Sequence, residues 1–403
     1  MASFDPAAAT ARYMATLSPA AHQRATDYTQ GSHWLLLWGW LVGVVVAVIL
    51  LRWGVLARLR RRLDPNGRTP KRAAFLVALL FVLLDALLEL PWTVYAYWWR
   101  ERQYQLTSRA FGGWLGEWAM QLALSAVVSA LFLLALYTLM RRTPRRWWLW
   151  ASGVAAVGAV LLLIAGPILI EPLFNTYTPA PAGPVRDRVV ALAEATGVPH
   201  DKIYIYNGSK QSDRYTANVS GLFGSARVAM SDTMFRQGAD MSEVIGVVGH
   251  EMGHYVRLHI LWSVLFLCVV ALVGFWLTDR LFPVAARWLG VPGMKLGDPA
   301  GLPVLVTLLS TLALLATPIF NTQTRLEETD ADAFSMRYAH QPDGLSKALV
   351  KTIAYRASSP SALEEFLFYD HPSVERRVRR AMNWKAAHPR GVGAPFGPLP
   401  PGE

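Results

Sequence analysis

The sequence predicts a mostly α, multi-pass membrane protein in which six transmembrane helices carry a small α+β domain. Three observations lead there. Of the 403 residues, 53% are hydrophobic and only 17% are charged, a balance that is rare in soluble chains. Six apolar runs are long enough to cross about 30 Å of hydrocarbon, at residues 34–51, 73–99, 114–140, 147–173, 260–277 and 302–320. Tryptophans stand at the ends of these runs, among them Trp34, Trp38, Trp98, Trp99, Trp114 and Trp262, where the headgroup interface favours such side chains.

In chain order, residues 1–32 are polar and read as two helical stretches, 7–17 and 18–28. They lack the short apolar core and small-residue cut site of a cleavable signal, so the first span is expected to be a retained anchor. Residues 33–174 hold four spans. Residues 175–259 form a polar block with a Pro-rich start at 179–184, an amphipathic helix at 185–196 and short strands at 202–206, 216–222 and 226–231. Gly208, Gly221 and Gly224 separate the strands, and a helix follows. Residues 260–320 supply two more spans. Residues 321–388 read as helical, with breaks at 342–344, 358–360 and 370–372. Residues 389–403, rich in Pro and Gly with little to bury, read as a disordered tail.

The single cysteine, Cys268, falls in the fifth span, which excludes a disulfide framework and a cysteine-based metal site. The formal charge of +11 does not point to nucleic acid, because no recognition motif accompanies it. Its basic residues cluster in short loops beside the spans, notably Arg58, Arg60, Arg61 and Arg62, which reads as membrane orientation and contact with anionic lipid.

The polar block ends in the sequence's most informative motif, His250-Glu251-Met252-Gly253-His254. Asp240 and Ser242 can cap the helix, Glu243 completes a capping pattern, and Val244, Ile245, Val247 and Val248 make the helix largely buried. On a helix this HExxH pattern stacks two imidazoles one turn apart as zinc ligands and leaves Glu251 beside the metal, placed to take a proton from water. Roughly one chain in a hundred of this length carries the pentapeptide by chance, so a third ligand is required. Glu328 and Asp332 lie four apart on one face of a helix just past the last span. Glu328 could ligate while Asp332 orients a ligand histidine, although an ordinary acidic helix start would read the same way.

Several segments together resemble the CAAX prenyl protease type 1 family of membrane zinc endoproteases, which includes bacterial stress proteases. They are His250–His254, the run Glu328-Thr329-Asp330-Ala331-Asp332-Ala333-Phe334, and Asp370-His371-Pro372. Weaker matches are Glu89-Leu90-Pro91-Trp92 with Tyr95, Glu171-Pro172-Leu173-Phe174, and Asn207-Gly208-Ser209-Lys210 with Asn218. The resemblance implies one zinc per chain held by His250, His254 and Glu328, with Glu251 as general base and acid and Asp332 orienting a ligand. It implies that His371 stabilises the oxyanion and that Asn218 helps hold a substrate along a sheet edge. Arg325, one turn before Glu328, is expected to orient that carboxylate or to face solvent. The implied fold is a gluzincin-like catalytic domain on a helical chamber. Eukaryotic members carry an additional N-terminal membrane helix; this chain is expected to have six spans, a chamber walled by one helix fewer, and to be a bacterial homologue. In-span Asp85, Glu89, Glu117 and Gln121 are costly against lipid and are expected to face a polar interior.

The expected function is hydrolysis of peptide bonds in membrane-associated protein or peptide substrates, prenylated CAAX-type ones among them, in contact with membrane lipids. The alternatives are a site-2-type intramembrane protease and a transporter or sensor scaffold with a vestigial motif. If the source is bacterial, the plasma membrane is the location. Positive-inside logic puts the catalytic block outside, whereas the family resemblance puts it in the cytoplasm, the placement adopted here.

Overall fold

The computed structural model describes residues 4–214, 216–221 and 226–399. Helix α1 (Pro6–Met14) is capped by Asp5, and α2 (Pro19–Trp53) by Ser18, whose hydroxyl accepts from the Ala21 amide. α2 runs without a break from the N-terminal segment through the first span, so no boundary falls at residue 33. Nothing in residues 19–53 stops a helix, and Gly31 makes room there for the Arg100 guanidinium, which a Cβ would meet at 2.9 Å.

Gly54, in the left-handed region at φ 61°, turns the chain into the basic helix α3 (Val55–Leu63). The second span joins α4 (Pro70–Val94), a π turn at Tyr95–Trp99 and α5 (Arg100–Gln103). Pro91 lies inside α4; it lacks the N–H that would close the helical ladder, and the looser winding follows directly after it. The third span is α6 (Phe111–Arg142), and the fourth combines α7 (Trp147–Ala165), a π turn at Gly166–Ile170 and α8 (Glu171–Phe174). Later come α12 (His259–Trp288) and α13 (Leu302–Ala339). All six are long and apolar enough to cross a membrane.

Strand β1 (Tyr177–Pro179), which is not among the strands expected from the sequence and which ends where the Pro-rich stretch 179–184 begins, opens the polar block. Then come α9 (Pro184–Thr196), β2 (Ile203–Tyr206), β3 (Ala217–Ser220), β4 (Arg227–Ser231), the short α10 (Asp232–Arg236) and α11 (Met241–Val256). The sheet order is β1-β2-β4-β3, with β2 and β4 parallel and the outer pairs antiparallel, so β3 is an edge. The expected strand at 216–222 extends onto residue 222, which lies outside the described residues. After α13 follow α14 (Pro342–Lys351), α15 (Ala362–Phe368) and α16 (Val374–Ala387).

α13 is one 38-residue helix. The last span and the acidic run are therefore a single rod, and Glu328 rides on the extension of a membrane helix. The expected disordered tail is also corrected. Gly393 and Gly397 donate backbone hydrogen bonds to the His340 and Tyr338 carbonyls, and Phe396 packs on the sheet core beneath the Arg188 guanidinium. One aromatic anchor outweighs the composition, while residues 400–403 lie outside the described residues.

Carboxylates at the ends of the spans tie this block to the membrane half. Glu117 pairs with Arg109 and Lys210 and accepts from Gln211; Glu101 pairs with Arg214, and Glu171 with Arg227. Glu117 is thus buried in ion pairs. Asp85 and Glu89 line a cavity of about 460 Å³ between α2, α4 and α13, and Gln121 is exposed.

Candidate active site

The site is built where α11 crosses α13. The Asp240 side chain caps α11 by accepting from the Glu243 amide at 2.9 Å, and Ser242 donates to Asp240 rather than capping. The crossing is close because α11 presents glycines to its neighbours. A Cβ on Gly246 would lie 2.8 Å from the Leu345 amide nitrogen, one on Gly249 2.9 Å from Ala339, and one on Gly253 3.0–3.1 Å from Phe334 and Ala331. Side chains there would push α13 and α14 away. With glycine, His250 reaches Glu328 and Asp332.

His250 Nε2 and His254 Nε2 lie 3.2 Å apart; one Glu328 oxygen is 3.3 Å from the former and the other 3.4 Å from the latter. A tetrahedral ion held at about 2.0–2.1 Å separates its ligand atoms by about 3.3 Å. Both imidazole Nε2 atoms and the Glu328 carboxylate converge at separations of that order, so these three residues could hold a metal ion.

The outer faces of the two imidazoles are bonded as well. His250 Nδ1 lies 2.9 Å from Asp332, whose two oxygens accept from Arg377 Nε and Nη2 at 2.8 and 2.7 Å; Arg377 Nη1 also lies 3.2 Å from Glu328. His254 Nδ1 lies 2.9 Å from His259 Nδ1, and His259 Nε2 lies 3.2 Å from Asp330.

Glu251 lines a cavity of about 160 Å³ together with Thr216, Ala217, Val247, Leu345, Arg356 and His371. Burial pushes its carboxyl above the usual range, opposed by the positive field of His250 and His254. His371 Nε2 lies 3.2 Å from Glu328 Oε1, and its Nδ1 lies 2.8 Å from Asp370.

Arg325 neither orients Glu328 nor faces solvent. Its Nη1 donates to the carbonyls of Glu365 and Tyr369 and its Nη2 to Thr322, so it clamps the end of α15 immediately before Asp370-His371. Asn218 lies on the edge strand β3, but Thr216 and Ala217 line the cleft; its amide oxygen is buried without a hydrogen-bond partner. Sequence reasoning missed Arg377, His259 and Asp330. Asp330 lies inside the acidic run, but Arg377 sits among Arg376, Arg379 and Arg380 with nothing to distinguish it.

The model of peptidase family M48 matches residues 179–385, the segment that holds every one of these side chains. The chain belongs to peptidase family M48. A second model, for the CAAX prenyl protease N-terminal region with five membrane helices, matches residues 7–176. Among M48 relatives, the uncharacterized metalloprotease YhfN of Bacillus subtilis is 26% identical over 91% of this chain and 86% of its own. The Arabidopsis thaliana CAAX prenyl protease 1 homolog is 24% identical over 79% and 75%, and CAAX prenyl protease 1 of Saccharomyces cerevisiae 23% over 73% and 69%. The crystal structure of S. mikatae Ste24p superposes with a TM-score of 0.75, covering 91% of this chain and 89% of that one at 20% identity. The M48 chain described here is an integral-membrane metalloendopeptidase of this fold. HExxH stands on a helix of the polar block, and the carboxylate that converges on it, Glu328, lies beyond the last span; with the M48 match this sets aside the site-2-type alternative. The peptidase family match sets aside the reading of a transporter or sensor scaffold with a vestigial motif.

Proposed function

We propose that the protein hydrolyses peptide bonds of membrane-associated substrates, lipid-modified CAAX-type chains among them, with one zinc held by His250, His254 and Glu328. The observation that carries this is the convergence of His250 Nε2, His254 Nε2 and the Glu328 carboxylate at 3.2–3.4 Å beside the half-buried Glu251, on the part of α13 that extends past the last span. Held by His250, His254 and Glu328, zinc would supply Lewis-acid chemistry to the scissile carbonyl and to a water. Glu251 would take the proton from the attacking water as a carboxylate and, having gained it, deliver it to the leaving amine. His371, held by Asp370, donates from Nε2 to the developing oxyanion. The substrate pairs with the edge of β3 as an added strand, beside Thr216 and Ala217 of the cleft, with Asn218 of that strand helping to hold it.

The catalytic block is placed in the cytoplasm, following the family resemblance. About fifteen Lys and Arg on the opposite loops argue for the other side. Labelling a cysteine introduced into α16 with a membrane-impermeant thiol reagent from outside the cell would overturn the cytoplasmic placement.

The test is zinc content and peptide cleavage with a farnesylated peptide and its unmodified twin. Wild type is expected to carry one zinc and cleave. Glu251→Gln should keep the zinc and lose about 10²–10⁴-fold in kcat, and Glu328→Ala should lose the zinc. A wild type without zinc, or cleavage surviving Glu251→Gln, would sink the reading.

A further inference from the structure

His254 has an outer partner that neither the HExxH motif nor the ligand on α13 supplies. Leu258 takes the left-handed conformation, φ 55°, between α11 and α12. That turn keeps His259 from continuing the α11 surface and brings it back beneath the helix end. His259 is only 7% exposed. The two rings cross at 75° with centroids 5.0 Å apart, their Nδ1 atoms are 2.9 Å apart, and His259 Nε2 lies 3.2 Å from Asp330 Oδ2. Arg257 Nε lies 3.3 Å from the same oxygen.

We infer that His259 is a positioning residue for the metal site, accepting from His254 and donating to Asp330 so that His254 keeps the tautomer whose Nε2 lone pair faces the metal. The inference rests on the reading of His250, His254 and Glu328 as the metal-binding set. The proton count follows from the inventory of imidazole donors. Both Nε2 atoms facing the metal must be bare, so both histidines carry hydrogen on Nδ1. His250 Nδ1–H donates to Asp332. His254 Nδ1–H finds an acceptor in His259 Nδ1, which has a lone pair only when the His259 hydrogen sits on Nε2. Asp330 accepts that hydrogen and thereby fixes it there. Each member sets the tautomer of the one before it, as an outer hydrogen bond to a metal-bound imidazole does.

Chelator competition for zinc on the full-length protein in detergent tests this, with His259→Phe and His259→Asn beside wild type. The asparagine Oδ1 stands where the imidazole Nδ1 stood, so it keeps the acceptor; phenylalanine keeps the bulk and removes it. His259→Phe is expected to bind zinc about 10–100-fold more weakly, and His259→Asn to recover most of that loss, with all three metal-free proteins melting alike. Wild-type affinity in His259→Phe would overturn the inference while leaving the metal reading intact. Equal losses in both variants would overturn it too, because ring volume and not the acceptor would then matter. A wild type that binds no zinc would remove the metal reading itself.

Discussion

The two imidazoles of the HExxH helix sit one turn apart in opposite kinds of surroundings. On the His250 side everything is buried and charged: Asp332 and Arg377 are each 5% exposed and meet through two hydrogen bonds. On the His254 side the ring is partly open, and its chain of contacts ends at Asp330, whose side chain is 43% exposed. Water can substitute for a missing partner on the second side and cannot on the first. Buried ions must therefore be paired completely, whereas the open side tolerates loss.

The largest expected effect breaks the buried side. Arg377→Leu leaves Asp332 as an uncompensated buried carboxylate beside Glu328 and should cost about 3–5 kcal/mol of stability. Arg380→Leu, on the same helix but exposed and bonded to Thr329, should stay within about 0.5 kcal/mol of wild type. Denaturant melts of the two variants check this. Equal melts would mean that the buried pairing does not hold the block together.

Asp332→Asn removes the charge but keeps the volume, and is the next largest. The amide still accepts from His250, yet it no longer balances Arg377 or raises the ligand's basicity, so zinc affinity should fall about 10–100-fold. Asp330→Asn, half exposed, should lose less than Asp332→Asn in the same competition assay. The reverse order would show that the open side, not the buried one, sets the affinity.

This asymmetry also marks how far the residues could be read in sequence. Apolar runs announce spans because only helices cross lipid with every backbone group bonded. The HExxH helix and its Asp240 cap are legible because periodicity and capping are local. Glu328 and Asp332 share a face by their spacing of four, although nothing local says that the face meets His250. Arg377 was invisible because selection among four arginines of α16 is made by packing against α13. His259 was hidden for a related reason: five positions after His254 is off the helical face, and only the left-handed turn at Leu258 brings it back. The glycines at 246, 249 and 253 form a stripe of small residues at helical spacing, a local signal of close neighbours. Arg325 misled because one-turn spacing to Glu328 suggests contact, while the side chain reaches the free carbonyls at the end of α15 instead.

The smallest effect separates stability from metal binding. Asp240 caps α11 more than two turns before His250, and its other oxygen lies 2.6 Å from Lys347 of α14. The slight burial of this carboxyl works against its ionisation, but hydrogen bonds from Lys347, Ser242 and the Glu243 amide hold it well below the usual carboxylate range. A group depressed in the folded state stabilises above its unfolded pKa, about 3.9 for aspartate, and loses that contribution as pH falls through the folded value. Asp240→Ala should therefore cost about 1 kcal/mol at neutral pH, with the gap from wild type closing as pH drops below about 4. Zinc affinity should not change, since both histidines lie beyond the first turn that the cap secures. A variant that lost zinc as well as stability would show that the helix start, and not the two sets of outer partners, holds the imidazoles in place.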